Sequence, residues 1–334
     1  MLVSVIVPCR NEVDHVDAFM HSLLAQQLPP TLSLQIVVGD GGSDDGTRER
    51  LAAWATREPR LLVVENPKRI TSAALNLAIA AARGVVAVRM DVHTEYAPDY
   101  IAQCVAVLQG TGATCVGGAW LPVGKGGRQG AIALAFQSRF GSGGAASRRA
   151  DYTGPADTVY LGAWRRSELL RFGGFDETLV RNQDDELNLR ILRGGGRVWQ
   201  SAAIRSAYVP RASFTALFRQ FYQYGYWKVP VIRKHRLPAS PRHVLPFLFI
   251  ALLVVLAGAG AVRIEGWWAL ALVVAIYAGV ALVSALLLAP RRAAGVAWAF
   301  ACMHAGYGLG FGRGLIDFGL LRRAPGAAVT RLTR

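Results

Sequence analysis

The sequence predicts an α/β fold, with a mostly parallel sheet flanked by helices and followed by an α-helical membrane region. Strand-like and helix-like segments alternate with a short period over the first ninety residues, as is typical of βαβ units. Polar side chains follow the ends of the apolar strands. Two long uncharged runs lie in the last third of the chain, and each is long enough to cross a ~30 Å hydrocarbon core.

The first strand is predicted from Leu2 to Val7 and is ended by Pro8. The later segments alternate in type: helical from Val13, strand-like from Leu34 to Gly39, helical from Thr47, strand-like from Leu61 to Val64, helical from Ser72 to Arg83 and strand-like from Gly84 to Met90. Ligands of open α/β sheets bind beyond the carboxyl ends of the strands. The residues that follow these strands are therefore the candidates for a site.

The middle of the chain changes in character. Residues 110–150 are rich in glycine and small side chains, which predicts loops on either side of a short helix from Ala131 to Phe140. Seven of the fourteen residues from Phe214 to Trp227 are aromatic, and a basic cluster follows at Arg233–Arg236. We expect residues 213–242 to form an amphipathic helix at the membrane interface with a basic linker. The alternative is a helix packed on the sheet.

Residues 243–312 contain only four charged side chains. Two spans are predicted within this region, at about 244–262 and 266–289. The third uncharged segment, 293–312, is weakly hydrophobic and rich in glycine. If it does not cross, nearly all of the Lys and Arg side chains that flank the spans lie on the cytoplasmic side, as the positive-inside rule favours. We expect it to be re-entrant or interfacial, with full crossing as the alternative. Residues 313–334 form a basic tail.

The chain carries a net charge of +15. No helix-turn-helix, zinc-finger or RRM signature accompanies this charge, so nucleic acid is not the predicted partner. The basic cluster instead precedes a long apolar run, where basic side chains favour anionic lipid headgroups. The four cysteines form no CxxC pair and no zinc spacing. They are expected to be buried in a reducing compartment.

Acidic side chains follow two of the predicted strands. Asp40 is succeeded by glycines that allow a close approach to a ligand, and Ser43 lies in the same loop. Asp91 and His93 follow another strand, and their spacing places both side chains on one face of an extended segment. A carboxylate and an imidazole there can hold a divalent cation, which would neutralise a bound diphosphate. Taken alone, the Asp40 loop is equally well explained by a structural turn, and a single Asp-x-His pair is weak evidence for a metal. Together with Glu12 after the first strand, three acidic strand ends in the order of a parallel sheet are much less accidental.

A third acidic group opens a later helix at Asp184–Glu186. Carboxylates at a helix N-terminus are stabilised by the helix dipole, which is the structural explanation. The functional explanation is a general base. Transfer of an activated sugar to a hydroxyl needs a carboxylate that accepts the hydroxyl proton while the diphosphate leaves.

These blocks, in this order, resemble the family 2 glycosyltransferases of GT-A fold, and within them the membrane-bound succinoglycan-biosynthesis type. The resemblance covers roughly residues 2–236. Its most specific blocks are Val-Ile-Val-Pro-Cys-Arg-Asn-Glu at 5–12, Asp-Gly-Gly-Ser-Asp-Asp-Gly-Thr at 40–47, Asp-Thr-Val-Tyr-Leu-Gly at 157–162 and Arg-Asn-Gln-Asp-Asp-Glu-Leu-Asn at 181–188.

The resemblance implies a role for each matching residue. A nucleotide-sugar site is implied at Pro8, Asn11, Glu12, Asp40, Ser43, Lys68, Asn76 and Asp91, with Arg69 beside Lys68 as a further phosphate partner. Asp184 matches the catalytic base. Asp91 and His93 match the two positions of the DxD metal motif, which implies Mn²⁺ or Mg²⁺ as cofactor. Asp157, Gly162, Gln220 and Tyr224 fall in the acceptor or diphosphate region.

The chain departs from the family pattern at three places. His93 stands where a second Asp is usual, and Gln183 replaces the Glu before the base. Asp185 and Glu186 are expected to restore part of the repulsion that Gln183 removes. The segment Gln220–Tyr224 resembles the QxxRW motif of processive synthases with Gln for Arg and Tyr for Trp. Loss of that Arg, a natural diphosphate partner, counts against a processive enzyme.

Together these features predict a catalytic domain over 1–212, an interfacial helix and linker over 213–242, a membrane region over 243–312 and a tail over 313–334. The expected activity is inverting transfer of a hexose from a nucleotide sugar, such as UDP-glucose, to a polyprenyl-diphosphate-linked or other lipid-linked acceptor. The expected location is the plasma membrane, multi-pass, with the catalytic domain in the cytoplasm. Two alternatives remain open, namely a processive polysaccharide synthase and a non-catalytic nucleotide-binding scaffold. A transporter is disfavoured because the apolar segments contain no buried carboxylate.

Overall fold

The computed structural model describes residues 1–124, 126–238 and 240–330. Its strands are β1 Leu2–Cys9, β2 Ser33–Asp40, β3 Leu61–Glu65, β4 Val86–Arg89, β5 Thr94–Tyr96, β6 Cys115–Gly118, β7 Leu121–Pro122, β8 Gly154–Pro155, β9 Tyr160–Arg165, β10 Val198–Gln200 and β11 Ser206–Tyr208. Its α-helices are α1 Val13–Leu24, α2 Thr47–Ala55, α3 Thr71–Ala81, α4 Tyr100–Thr111, α5 Gly127–Gln137, α6 Arg139–Ser142, α7 Arg166–Arg171, α8 Gln183–Arg193, α9 Phe214–His235, α10 Leu245–Gly260, α11 Ile264–Leu288, α12 Ala293–Gly314 and α13 Ala327–Thr330.

The chain forms two compact units. One contains Met1–Leu121 and Ala146–Val209, and the other contains Pro122–Ala145 and the residues from Pro210 onward. The stretch predicted as a continuous catalytic domain over 1–212 is therefore interrupted by a segment that belongs to the helical unit. The physical reason is that α5 is apolar on the face it turns to its helical neighbours, where Phe136 packs edge-on against Phe221 of α9.

The first unit is built on an eight-stranded sheet in the order β3-β2-β1-β4-β9-β6-β10-β8. The first four of these strands run parallel to one another. Strand β9 is antiparallel to both of its neighbours, so the sheet is mixed. A second sheet has three strands in the order β5-β11-β7.

Helices cover both faces of the large sheet, as the sequence predicts. Alternate residues of β1 point to opposite faces. Val5 belongs to the core formed with α1, α2 and α4, and Ile6 to the core formed with α3, α7 and α8. Because both faces are buried, the strands are almost continuously apolar, and their carboxyl ends are the edge at which polar residues accumulate.

The second unit is helical, and its centre is the pair α9 and α12. Glycines of α12 lie where a side chain would meet the backbone of α9: an added Cβ at Gly306 would come within 2.7 Å of the Phe218 carbonyl oxygen, and one at Gly314 within 2.8 Å of that of Tyr226. Small residues at this spacing allow two helices to approach closely. The glycine content of the segment 293–312 is therefore explained by a continuous, packed helix.

Helix α9 packs on α12 through one face. Leu217, Tyr226, Trp227 and Val231 are buried, and glycines of α12 lie against the backbone of α9. The interfacial position expected for 213–242 stays a prediction. The aromatic enrichment of the segment serves this helix pair.

By length and composition, one helix among the described residues can cross a membrane, and it is α11, which has 25 residues. Helix α10 has 16 residues, a rise of ~24 Å, which is short of the hydrocarbon thickness of ~30 Å. Multi-pass insertion with two spans is therefore not supported. The predicted span at 266–289 corresponds to α11, and the predicted span at 244–262 corresponds to the shorter α10.

Candidate active site

Two loops at the carboxyl edge of the large sheet are joined by hydrogen bonds. The Asn11 backbone N–H donates to Ser43 Oγ at 2.8 Å, and the Asn11 side chain exchanges two hydrogen bonds with Asp44, at 2.7 and 3.0 Å. The Glu12 N–H donates to Thr47 Oγ1 at 2.7 Å. These contacts hold the loop after β1, whose last two residues are Pro8 and Cys9, against the loop after β2. Asn11 and Ser43, predicted to contact a nucleotide sugar, are thus brought together.

Asp40 is the last residue of β2 and is 3% exposed. Its two carboxylate oxygens accept the Ser43 hydroxyl at 2.5 Å and the Ser43 backbone N–H at 3.2 Å. The Arg48 guanidinium lies 3.7 Å away. Gly42, in the loop between Asp40 and Ser43, has a φ of 65°, which a side chain would strain. The glycine-rich sequence therefore shapes a tight loop around a buried acid.

The segment after β4 is a turn and not an extended strand. The Thr94 N–H donates to the Asp91 carbonyl at 3.2 Å. The Tyr96 hydroxyl accepts the Asp91 N–H at 2.5 Å and donates to the Asp91 carbonyl at 3.0 Å. The expectation that Asp91 and His93 share one face of an extended segment is therefore wrong. The turn forms because β5 begins at Thr94 to pair with β11.

Arg89 is the residue of this site that the sequence analysis missed. It is the last residue of β4 and is 4% exposed. Its Nε donates to Asp91 Oδ1 at 2.9 Å and its Nη2 to Asp91 Oδ2 at 3.1 Å, while its Nη1 pairs with Asp184 Oδ1. One guanidinium therefore joins two carboxylates from distant parts of the chain. The available signal was an arginine in an apolar strand, two residues before Asp91 and so on the same face.

Asp184 lies in the first turn of α8, with a side chain that is 34% exposed. Loss of solvent around the carboxyl group raises the pKa of Asp184, the Arg89 guanidinium lowers it, and the negative charges of Asp91 and Asp185 raise it; together they bring the pKa to about 6. A carboxylate with such a pKa is suited to general-base catalysis near neutral pH. The geometry is thus consistent with the predicted role of Asp184.

Glu186, which was expected to act on the base together with Asp185, forms an ion pair of its own. It is fully buried, and its carboxylate binds the Arg190 guanidinium at 3.1 and 2.5 Å. Arg190 also donates to the Phe172 carbonyl and, at 2.9 Å, to the Gly174 carbonyl. The pair therefore anchors α8 to the loop after α7. Asp185 is the remaining neighbour of the base on its own helix that raises its pKa.

Asn76 and Lys68 hold a loop in the structure. Asn76 Nδ2 donates at 2.8 Å to both the Phe175 carbonyl and Glu177 Oε1, and its Oδ1 accepts the Phe175 N–H at 2.8 Å. Lys68 Nζ lies 2.6 Å from Glu177 Oε2. These contacts lower the pKa of Glu177, the Lys68 hydrogen bond most strongly. Nucleotide contacts by Lys68 and Asn76 stay predictions, and the Asn76 amide already makes three protein contacts.

The residues predicted to bind a metal form a small donor set. His93 Nδ1 lies 3.3 Å from Glu12 Oε1, and both Asp91 oxygens face the Arg89 guanidinium. Within residues 1–124, 126–238 and 240–330, no group of three or more His, Cys, Asp or Glu side chains is arranged to hold a metal ion. One carboxylate and one imidazole suit a cation that is bound mainly by a substrate diphosphate and water, as Mg²⁺ often is.

Strand β9 contains an irregularity beside the site. Leu161 and Gly162 have φ values of 62° and 109°, and the register with β6 shifts between Val116 and Gly118. Such bulges re-aim neighbouring side chains. Here Tyr160 comes within hydrogen-bond distance of Thr94, 2.9 Å between the two hydroxyl oxygens.

Gly162 was predicted to lie in the acceptor or diphosphate region. A Cβ at this position would lie 2.6 Å from the Trp164 ring, so the glycine is also required by packing. Asp157, predicted for the same region, lies before β9 and is partly buried. The neighbouring Thr158 hydroxyl accepts a hydrogen bond from Asn188 of α8 at 3.0 Å.

Gln220 and Tyr224, the other two residues of that predicted region, belong to α9 in the helical unit. Gln220 is 1% exposed, and its Nε2 donates to the Tyr224 hydroxyl at 2.9 Å. Both residues therefore take part in a contact within this helix, and their roles in acceptor binding stay predictions.

The chain is similar in sequence to a known family and to several characterised proteins. Residues 4–171 match the family described as Glycosyl transferase family 2. The chain is 34% identical over 323 residues to the succinoglycan biosynthesis protein ExoA of Rhizobium meliloti (strain 1021), covering 94% of this chain and 95% of that protein. It is 24% identical over 268 residues to a dolichyl N-acetyl-alpha-D-glucosaminyl phosphate 3-beta-D-2,3-diacetamido-2,3-dideoxy-beta-D-glucuronosyltransferase of Methanococcus voltae, covering 77% and 82%.

Solved structures share the fold. The mannosyltransferase PcManGT from Pyrobaculum calidifontis, in complex with GDP-Man and Mn²⁺, superposes with a TM-score of 0.61 and 23% identity, covering 94% of this chain and 87% of that one. TarS 1–349 of S. aureus in complex with UDP superposes with a TM-score of 0.52 and 15% identity, covering 93% and 90%. At these identities the likeness indicates the fold alone.

Proposed function

We propose that this protein, which belongs to glycosyl transferase family 2 and has a GT-A fold, is an inverting enzyme that transfers a hexose from a UDP-sugar to a lipid-linked saccharide. The product would serve exopolysaccharide or cell-envelope glycan synthesis. The observation that carries the proposal is the pair Asp91 and Asp184, joined by one guanidinium at the carboxyl edge of the sheet. In α/β folds this edge is where ligands bind.

Asp184 is the base in this mechanism. Its ionised carboxylate accepts the proton of the acceptor hydroxyl as the hydroxyl oxygen bonds to C1 of the donor sugar. The bond from C1 to the nucleoside diphosphate breaks on the opposite face, so the configuration at C1 inverts. A pKa of about 6 leaves the carboxylate ionised at neutral pH yet more basic than an ordinary Asp.

The donor would lie over the joined loops after β1 and β2. Asp40 and Glu12 would contact the nucleoside, with Ser43 near the ribose. Asp91 and His93 would hold Mn²⁺ or Mg²⁺ jointly with the donor diphosphate, and the cation would supply positive charge to the departing diphosphate. The Mn²⁺ in the PcManGT structure supports the use of a cation.

Two observations support a lipid-linked acceptor, namely the name of a relative and the exposure of an apolar helix. The Methanococcus voltae relative is named for transfer to a dolichyl-linked sugar phosphate. The apolar helix α11 is largely exposed within this chain, with 11% of its most apolar window buried, and would place the enzyme at a bilayer. We place the catalytic unit on the cytoplasmic face of the plasma membrane, where nucleotide sugars would be available.

The test is sugar transfer by the detergent-solubilised protein. UDP- and GDP-sugars would be supplied in turn, with Mn²⁺, Mg²⁺ or EDTA and with membrane lipid extract as acceptor. We expect one labelled sugar to enter the lipid fraction from a UDP-sugar, with the anomeric configuration inverted. Asp184→Asn should abolish transfer while it preserves nucleotide binding.

The matched control is Asp17→Asn, which makes the same change in a carboxylate of α1 that binds Arg50 and Trp54 instead. This variant should transfer sugar as the wild type does. A product that keeps the donor's configuration would refute the inverting mechanism. Polymer formation from a single acceptor would favour the processive alternative, and nucleotide binding without turnover would favour a scaffold.

A further inference from the structure

We propose that Arg89 is a positioning residue, whose single guanidinium fixes the carboxylate of Asp184 relative to Asp91. This inference rests on the proposed function, in which Asp184 is the base and Asp91 lies on the donor side. Arg89 would touch neither substrate. It would act by holding the two carboxylates at one separation.

The geometry of the ion pairs carries the inference. Arg89 gives two parallel hydrogen bonds to Asp91, one to each carboxylate oxygen, and uses its remaining terminal nitrogen for Asp184. A planar guanidinium has donors in a fixed fork, so it fixes direction as well as distance. A lysine ammonium is a point charge on a flexible stem and provides no such fork.

Burial makes this arrangement rigid. The Arg89 side chain is 5% exposed and the Asp91 side chain 15% exposed, whereas that of Asp184 is 34% exposed. The base is therefore the open end of the bridge, where an acceptor can reach it. Asp91 is anchored a second time by the Tyr96 hydroxyl, which contacts both its backbone N–H and its carbonyl.

The chain connectivity explains why such a bridge is needed. Asp91 lies two residues after the end of β4, but Asp184 is 93 residues further on, at the start of α8. The residue before α8, Asn182, has a left-handed backbone with φ of 62°. Arg89 connects the start of α8 to the sheet, where the proposed reaction needs the carboxylates of Asp91 and Asp184 at a fixed separation. Misplacement of a catalytic group by ~1 Å can reduce a rate by about 10²-fold.

The experiment compares Arg89→Lys with Arg60→Lys. Arg60 makes a two-pronged ion pair with Glu58 just before β3, at the amino edge of the sheet, so it controls for the same substitution in a similar pair. We expect Arg89→Lys to lower kcat for transfer by about 10²-fold with the donor KM changed less than about threefold. Arg60→Lys should leave both constants unchanged.

A double-variant cycle separates positioning from general damage. Asp184→Glu displaces the same carboxylate from the other side of the bridge. If both substitutions act through one contact, the loss of kcat in Arg89→Lys/Asp184→Glu should be smaller than the product of the two single losses. Independent structural damage would give the full product.

Three results would overturn the proposal. They are an Arg89→Lys protein that does not fold, a donor KM that rises in step with the fall in kcat, and single losses that multiply in the double variant. Failure of the proposed function has a different signature. In that case the wild type and Arg60→Lys would also transfer no sugar.

Discussion

Acidification tests the assignment of Asp184 as the base most directly. The carboxylate must be ionised to accept a proton, so kcat/KM should fall as the pH is lowered through the pKa of Asp184. With a pKa of about 6, ~97% of Asp184 is ionised at pH 7.5 and ~9% at pH 5. An Asp at its ordinary value of 3.8 would still be ~94% ionised at pH 5.

The expected result is therefore a kcat/KM about tenfold lower at pH 5 than at pH 7.5, with a limb of unit slope below pH 6. The assay is the initial rate of transfer with donor and acceptor below their KM values, because kcat/KM reports the ionisation of the free enzyme. Enzyme held at pH 5 and returned to pH 7.5 should regain full activity, which separates titration from unfolding. A kcat/KM that stays level down to pH 5 would refute the reasoning, because it would mean that the base is not a carboxylate with the raised pKa of Asp184.

Three further predictions concern residues that support the site or the helical unit. Tyr96→Phe removes the hydroxyl that contacts the Asp91 backbone, so the donor KM should rise by about fivefold, in line with a lost hydrogen bond of ~1 kcal/mol; an unchanged KM would count against donor binding at Asp91. Asn76→Asp replaces two donated hydrogen bonds by repulsion and should lower the free energy of unfolding by about 1–3 kcal/mol, measured in urea against the wild type. Gly310→Val would place a side chain against the Tyr222 carbonyl. It should lower the free energy of unfolding by about 1–3 kcal/mol and with it the melting temperature. The control Gly279→Val, at a position with nothing within 4 Å of an added Cβ, should leave the melting temperature unchanged.

Much of the site could be predicted because it follows strand ends. Asp40 and Asp91 come directly after apolar strands, and parallel strands bring their carboxyl ends to one edge. Asp184 could be identified because it lies in the acidic group at the start of a predicted helix, within the block 181–188 that resembles the family. The two-sided cover of the sheet followed from the alternation of short strands and helices.

The remainder depends on contacts between residues far apart in the chain. Arg89 was missed because its partner Asp184 is 95 positions away, and no local sequence pattern predicts that ion pair. Glu186 was expected to act on the base, but a salt bridge with Arg190 neutralises it. The role of α12 was obscured because glycine lowers its hydropathy, although the same glycines make it a tightly packed helix.

The interrupted first unit has a consequence for biosynthesis and for fragment design. Its last strands, β8 to β11, emerge from the ribosome only after α5, whose own partners α9 and α12 are translated later still. A nascent chain must therefore carry the apolar side chains of α5, such as Ile132 and Phe136, without their cover until α9, which begins at Phe214, and then α12, which begins at Ala293, have been synthesised. Truncation at residue 212 would make that exposure permanent, so the catalytic unit should aggregate when expressed without its C-terminal helices.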